Sequence, residues 1–267
     1  MTEGADMPVR PVLVFRSLLA AWLLAHLVPR LPHLEELYCR PVLREDALRH
    51  LGLPPPPLPV VAALFAGALG GVAAVGVGRW PRVGWALAFP CLVAILALSP
   101  ESSKAYGALA TIQFGLLWFA PFDAPATARA RAWPAQLLVA QWSSVYALSV
   151  AAKLSEAPWR EGSALFYALN GQAHGQWLLS AGGIGEGPAQ LLTWAAMAGE
   201  LAIALGIWGT RTRGWAAAAC VALHLGVGLT MRITPLFALL MWLHLPLALA
   251  LPTGGERPRR PAGHQLI

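Results

Sequence analysis

Long apolar runs broken by short polar segments dominate the chain. A membrane-crossing helix needs about 20 largely apolar residues, and runs of that kind occur near 11–29, 58–78, 83–99, 105–121, 135–154, 189–209, 213–231 and 233–251. The pattern predicts an all-α fold, a polytopic transmembrane helical bundle of about eight spans. Seven is the alternative count, because the last two runs meet at Met231-Arg232-Ile233-Thr234-Pro235, where one charge and a proline leave room only for a tight turn. Glu3 and Asp6 precede the first run and no small-residue cleavage site follows it, so it reads as an uncleaved signal anchor.

Two polar segments are long enough to hold function. Residues 30–57 contain Glu35, Glu36, Glu45 and Asp46 beside four arginines, and end in the stiff strut Pro54 to Pro57. Residues 155–188 contain an amphipathic stretch from Trp159 to Leu179 and then Gly182-Gly183-Ile184-Gly185-Glu186-Gly187-Pro188. No strand precedes that glycine-rich passage and no lysine follows it, so it reads as a connector rather than a phosphate loop. Gly67 and Gly71 give the second run a small-residue face suited to close helix packing. The organisation expected is one transmembrane domain over 1–251 and a disordered polar tail over 252–267.

Composition agrees with the pattern. The chain is 57% hydrophobic and 12% charged, against about 25% charged in ordinary soluble domains, and its mean hydropathy is +0.57. A water-soluble globule of this make-up would expose wide apolar patches; the lipid bilayer is the expected surrounding. Net charge is +6, but the arginines are dispersed between apolar runs instead of forming a stripe, so no nucleic-acid partner is expected. With the N-terminus in the cytoplasm, Arg10, Arg79, Arg82, Arg129, Arg131, Arg211, Arg213, Arg257, Arg259 and Arg260 fall on the inner side. Arg30, Arg40, Arg44, Arg49, Lys104, Arg160 and Arg232 fall outside. That bias favours a multi-pass protein of the cell membrane with a cytoplasmic N-terminus. Cys39, Cys91 and Cys220 are far apart in sequence, which points away from a disulfide framework, and no metal site is expected.

The ionisable residues inside the runs are few: Arg16, Lys153 and Glu200, joined by His26, His224 and His244. Each charge costs about 2.5–3.5 kcal/mol to insert, so each needs a partner, an exit or a task. On the fifth run Gln136, Ser143, Tyr146, Ser149 and Lys153 fall on one helical face. A polar face ending in a lysine suggests an internal cavity, and a desolvated lysine can serve as a base; snorkelling, or pairing with Glu156, is the structural reading. On the seventh run Cys220, His224, Gly228 and Arg232 recur at every fourth position, and Glu200 is expected to face that stripe and pair with His224 or Arg232. A haem held by His224 and His244 is disfavoured.

The run Tyr146-Ala-Leu-Ser-Val-Ala-Ala-Lys153-Leu154, followed by Trp159-Arg-Glu-Gly162 and an amphipathic segment, resembles the HTTM domain, the membrane domain shared with vitamin K-dependent gamma-carboxylase. Gly199-Glu200-Leu201, Ala222-Leu223-His224 and Arg16 are similar to downstream and upstream features of that family. The resemblance implies a lipid-soluble quinol-type ligand, with Lys153 at the position of the base that deprotonates vitamin K hydroquinone. Tyr146, His224 and Glu200 would then form the polar core around the ligand, with Trp159 and Gly162 shaping its lid. The carboxylase has in addition a large lumenal region that grips a propeptide, which is not expected in this sequence. Bacterial members similar to the sporulation-delaying protein B imply the alternative, a non-enzymatic membrane scaffold or a partner in maturation or export of a secreted peptide. Transport is a weaker third reading, since broken, paired half-helices are not evident.

Overall fold

The computed structural model describes residues 6–40, 52, 54–98, 105–121, 124–171, 183–231 and 235–252. Apart from two three-residue strands, Asp6–Pro8 and Arg129–Arg131, every regular element among them is helical. Among the described residues, five helical stretches are long and apolar enough to cross a membrane: Arg10–His33, Leu58–Val77, Pro81–Leu98, Trp133–Ser155 and Glu186–Gly206. The described part of the expected tail is Pro252; 253–267 lie outside the described residues, as do 41–51 and 172–182, which fall in the two long polar segments. The chain divides into two compact units, 8–130 and 131–267 with 1–7.

The first unit contains α1 (Arg10–Leu27), α2 (Leu58–Val77), α3 (Pro81–Leu98) and α4 (Ala105–Leu116). Beyond Leu27 the chain tightens into a 3-10 turn over Val28–His33 and then widens into a π turn over Glu35–Cys39. Pro29 and Pro32 lack the N–H groups an α-helix would need there. The closest packing is between α2 and α3, where Gly71 lies directly on the Gly84 carbonyl and Ala88, leaving no space for a side chain. Gly78 ends α2 in the left-handed region at φ 74°. A side chain there would also meet Arg16, whose buried guanidinium lies against this helix end, where the unpaired carbonyls carry partial negative charge. Ser17 Oγ donates to Gly76 O at 2.9 Å beside it. These contacts give the intramembrane Arg16 a structural setting.

The second unit contains α5 (Trp133–Ser155), two short helices α6 (Ala157–Arg160) and α7 (Ala164–Asn170), then α8 (Glu186–Gly206), α9 (Arg213–Thr230), α10 (Pro235–Trp242) and α11 (Leu245–Ala250). Packing runs from α5 to α8, from α8 to α9, from α9 to α10 and α11, and from α11 back to α5, closing a ring. The expected run 233–251 is two helices, because Pro246 cannot supply an N–H or tolerate the preceding helical carbonyl, and the helix stops at Trp242. Arg213 clips two helix ends, those of α8 and α11: Nε donates to Ile207 O at 3.1 Å and Nη1 to Leu251 O at 2.7 Å.

Candidate functional site

The second unit forms a partly open cavity of about 740 Å³ walled by α5, α7, α8, α9 and α10, with Trp159 of α6. Sequence creates this space directly. α8 presents Ala195, Ala196 and Gly199 to it, and α9 presents Ala219, Ala222 and Gly226. Small residues at helical spacing on two adjacent helices leave a hollow that the larger Leu165, Leu169, Leu192, Phe237 and Met241 border without filling. The volume lies within the range typical of small-molecule sites, about 300–1,000 Å³.

On this apolar wall the polar groups are few, and most find a partner, though Glu200 Oε2 and His224 Nδ1 are buried with no hydrogen-bond partner among the described residues. Lys153 Nζ donates to Glu200 Oε1 and, at 3.0 Å, to Ser149 Oγ one helical turn earlier. The same ammonium lies 4.8 Å from the centre of the Trp159 ring, a cation–π contact. Lys153 and Glu200 keep 18% and 12% side-chain exposure, so the pair is desolvated enough for its attraction to matter. Two helical turns before Lys153, the Tyr146 hydroxyl lies 2.7 Å from His224 Nε2 and 3.3 Å from Cys220 Sγ, joining α5 to α9. Phe237 packs edge-on against the His224 ring at 5.2 Å.

Tyr146, Lys153, Trp159, Glu200 and His224 therefore all line one cavity. Gly162 does not line it; at φ 84° it makes the turn between α6 and α7, where a side chain would strike Gln190 and Trp194. Around that turn Gln190 Nε2 donates to Glu161 O at 3.0 Å, Trp194 Nε1 to Arg160 O at 3.2 Å, and Leu165 N to Thr193 Oγ1 at 3.1 Å. Residues 157–170 are thus a strap fastened along α8. At its far end Asn170 bonds both the N–H and the C=O of Ile184 at 3.0 Å. Gly183, at φ 66°, lies against Asn170 there, a structural use for part of the glycine-rich passage.

Several sequence expectations need correction. Glu200 pairs with Lys153, not with His224, whose Nε2 is engaged by Tyr146; Arg232 lies outside the described residues. Lys153 neither snorkels nor meets Glu156, which is exposed and ends α5 in an extended conformation. The polar face of α5 is also less uniform than expected, since Gln136 is exposed while Leu138 and Trp142 are buried beside Ser143. Gly228 of the α9 stripe is likewise exposed. His244 is buried outside the cavity, stacked on Trp142 at 5.3 Å, so it and His224 do not offer themselves to one ligand. Among the described residues, no group of three His, Cys, Asp or Glu side chains is placed to hold a metal ion.

Sequence reasoning marked the charged residues but missed that they belong to each other. The available signal was scarcity: an internal lysine and an internal glutamate on neighbouring runs each needed an opposite charge. Comparison with family models, with curated proteins and with solved structures finds no match for this chain.

Proposed function

We propose that the unit formed by residues 131–252 binds a lipid-soluble ligand with an acidic hydroxyl, of the quinol type, and accepts that hydroxyl's proton at the Lys153–Glu200 pair, which acts as the basic centre of the site. The observation that carries this reading is the Lys153–Glu200 pair on the wall of an otherwise apolar cavity of about 740 Å³. A cavity that is mostly apolar with a few convergent polar groups suits a greasy ligand with one reactive end. In this reading Tyr146 and His224 orient the ligand, Trp159 covers the pair, and Gly162 lets the strap close over it. The bundle is of the carboxylase-like HTTM type. That kinship is supported by the contact between Lys153 and Trp159 and by the turn at Gly162, which give the spacing of the motif a physical reason.

The same proposal takes the chain through the cell membrane about eight times. The five long apolar helices are joined by the shorter stretches Tyr106–Phe119 and Pro235–Ala250 and by α9, with the N-terminus in the cytoplasm.

The test uses the full chain in lipid nanodiscs with a short-tailed naphthohydroquinone as probe. The protein should bind the probe saturably and accelerate its oxygenation, read as dioxygen uptake above the protein-free rate. Lys153→Ala breaks the pair; it should insert normally and lose the acceleration by ~10²–10⁴-fold, the usual worth of positioned acid–base machinery. Equal uptake by wild type and Lys153→Ala would overturn the reading and leave the bundle as a docking scaffold for a membrane or secreted-peptide partner.

A further inference from the structure

Within the pair, the hydrogen-bonding capacity of the two side chains is unequally spent. An ammonium has three N–H donors and no lone pair. At Lys153 these meet Ser149 Oγ, Glu200 Oε1 and the face of the Trp159 ring. A protonated lysine held in this way has nothing with which to accept a proton. Glu200 is the opposite case: Oε1 is engaged, while Oε2 is buried with no hydrogen-bond partner among the described residues, on a side chain that lines the cavity. A carboxylate oxygen in that state is a costly unspent acceptor.

We propose that Glu200, not Lys153, is the group on which the ligand's proton comes to rest; this deepens the proton-accepting reading of the cavity and rests on it. The ligand's O–H bond breaks, the proton passes to Glu200 Oε2, and the electron pair stays on the ligand oxygen. Glu200 becomes a neutral carboxylic acid, and the ligand oxyanion takes its place as the counter-ion of the Lys153 ammonium. One ion pair is exchanged for another. The net charge of the site is zero before and after, so no additional unpaired charge has to be buried, which a low-dielectric site would penalise heavily. Lys153 acts here as the fixed cation that faces the Glu200 carboxylate at rest and receives the oxyanion afterwards, and Ser149 and Trp159 hold it in position. A sequence motif naming only the lysine would thus mark the electrostatic anchor of the site, while the acceptor is contributed from α8.

The experiment titrates the full chain in nanodiscs with an alkyl-substituted para-nitrophenol, whose phenolate is coloured, and follows binding by visible and infrared difference spectra. The expected result is a bound phenolate together with a new carboxylic-acid C=O band. That band should be absent in Glu200→Gln and should return in Glu200→Asp, which keeps a carboxyl. A bound phenolate with no new carboxyl band in wild type would overturn the assignment to Glu200, since the proton has then gone elsewhere. Failure of wild type to bind the probe, or binding only as the neutral phenol, would instead overturn the underlying reading of the cavity as a proton-accepting site.

Discussion

Replacing Glu200 alone by leucine strands the Lys153 ammonium between Ser149 and the Trp159 ring, desolvated and without its counter-charge. Breaking a buried pair from one side is costly because the remaining charge keeps its desolvation penalty, whereas removing both charges is close to neutral. Thermal unfolding of the purified protein should therefore show Glu200→Leu destabilised by about 3 kcal/mol, and the double variant Lys153→Met/Glu200→Leu within about 1 kcal/mol of wild type. Additive losses in the double variant would show that the two side chains do not depend on each other. Scarcity of charge pointed toward the partnership, but the helix rotation that decides it was not legible in the sequence, for a physical reason. In a bilayer the lipid-facing and inward-facing sides of a helix are both apolar, so hydrophobic periodicity does not fix helix rotation as it does in water. Leu138 is inside and Gln136 outside on the same helix, the reverse of what polarity suggests. Which residues deserved attention could be read from their rarity; which neighbour each would meet depended on that rotation.

Glycines show the same contrast one level up. Gly67, Gly70 and Gly71 look alike in sequence, yet a methyl group at Gly71 would collide with the Gly84 carbonyl and Ala88, while at Gly70 it would meet nothing within 4 Å. Gly71→Ala should cost about 1–3 kcal/mol by forcing α2 and α3 apart, whereas Gly70→Ala should be neutral or stabilise slightly through helix propensity, by at most about 1 kcal/mol. Unfolding midpoints of the two variants check this, and equal midpoints would refute the packing argument. Helix positions, by contrast, were largely legible, because each needs only a long apolar run; the break before Pro246 is the exception, where backbone chemistry interrupts an unbroken apolar pattern. The strap was legible only as an amphipathic stretch. Its fastening depends on the turn at Gly162, where φ 84° suits glycine and Gln190 and Trp194 leave no space. Gly162→Val should release it: amide exchange across 157–170 should speed up by at least tenfold while α5 and α8 keep their protection. Uniform acceleration across the whole unit would mean that the strap is not a separable element.

At the scale of the whole molecule, the count of spans fixes the sides on which the polar segments emerge. Eight spans with a cytoplasmic N-terminus put Cys39, just after the first of them, on the outer face. They put the chain beyond Leu251 on the inner one; seven would move that end outside. Cys39 is a usable reporter once Cys91 and Cys220 are replaced by alanine, but its chemistry has to be allowed for. Burial, and then the nearby Glu35 carboxylate, push its thiol above the ordinary range, with Arg40 pulling the other way. Since the thiolate is the reactive form, a raised value means a smaller reactive fraction at neutral pH, and labelling should climb as pH rises. In intact cells a membrane-impermeant maleimide should therefore modify Cys39 slowly near neutrality and severalfold faster in alkaline buffer. A tag appended after Ile267 should stay inaccessible until the cells are opened. Protection of Cys39 at every pH in intact cells, together with full labelling after lysis, would reverse the orientation. An externally accessible tag alongside a labelled Cys39 would reduce the count to seven, placing the two short helices on either side of Trp242-Leu243-His244 in a hairpin that enters the bilayer without crossing it.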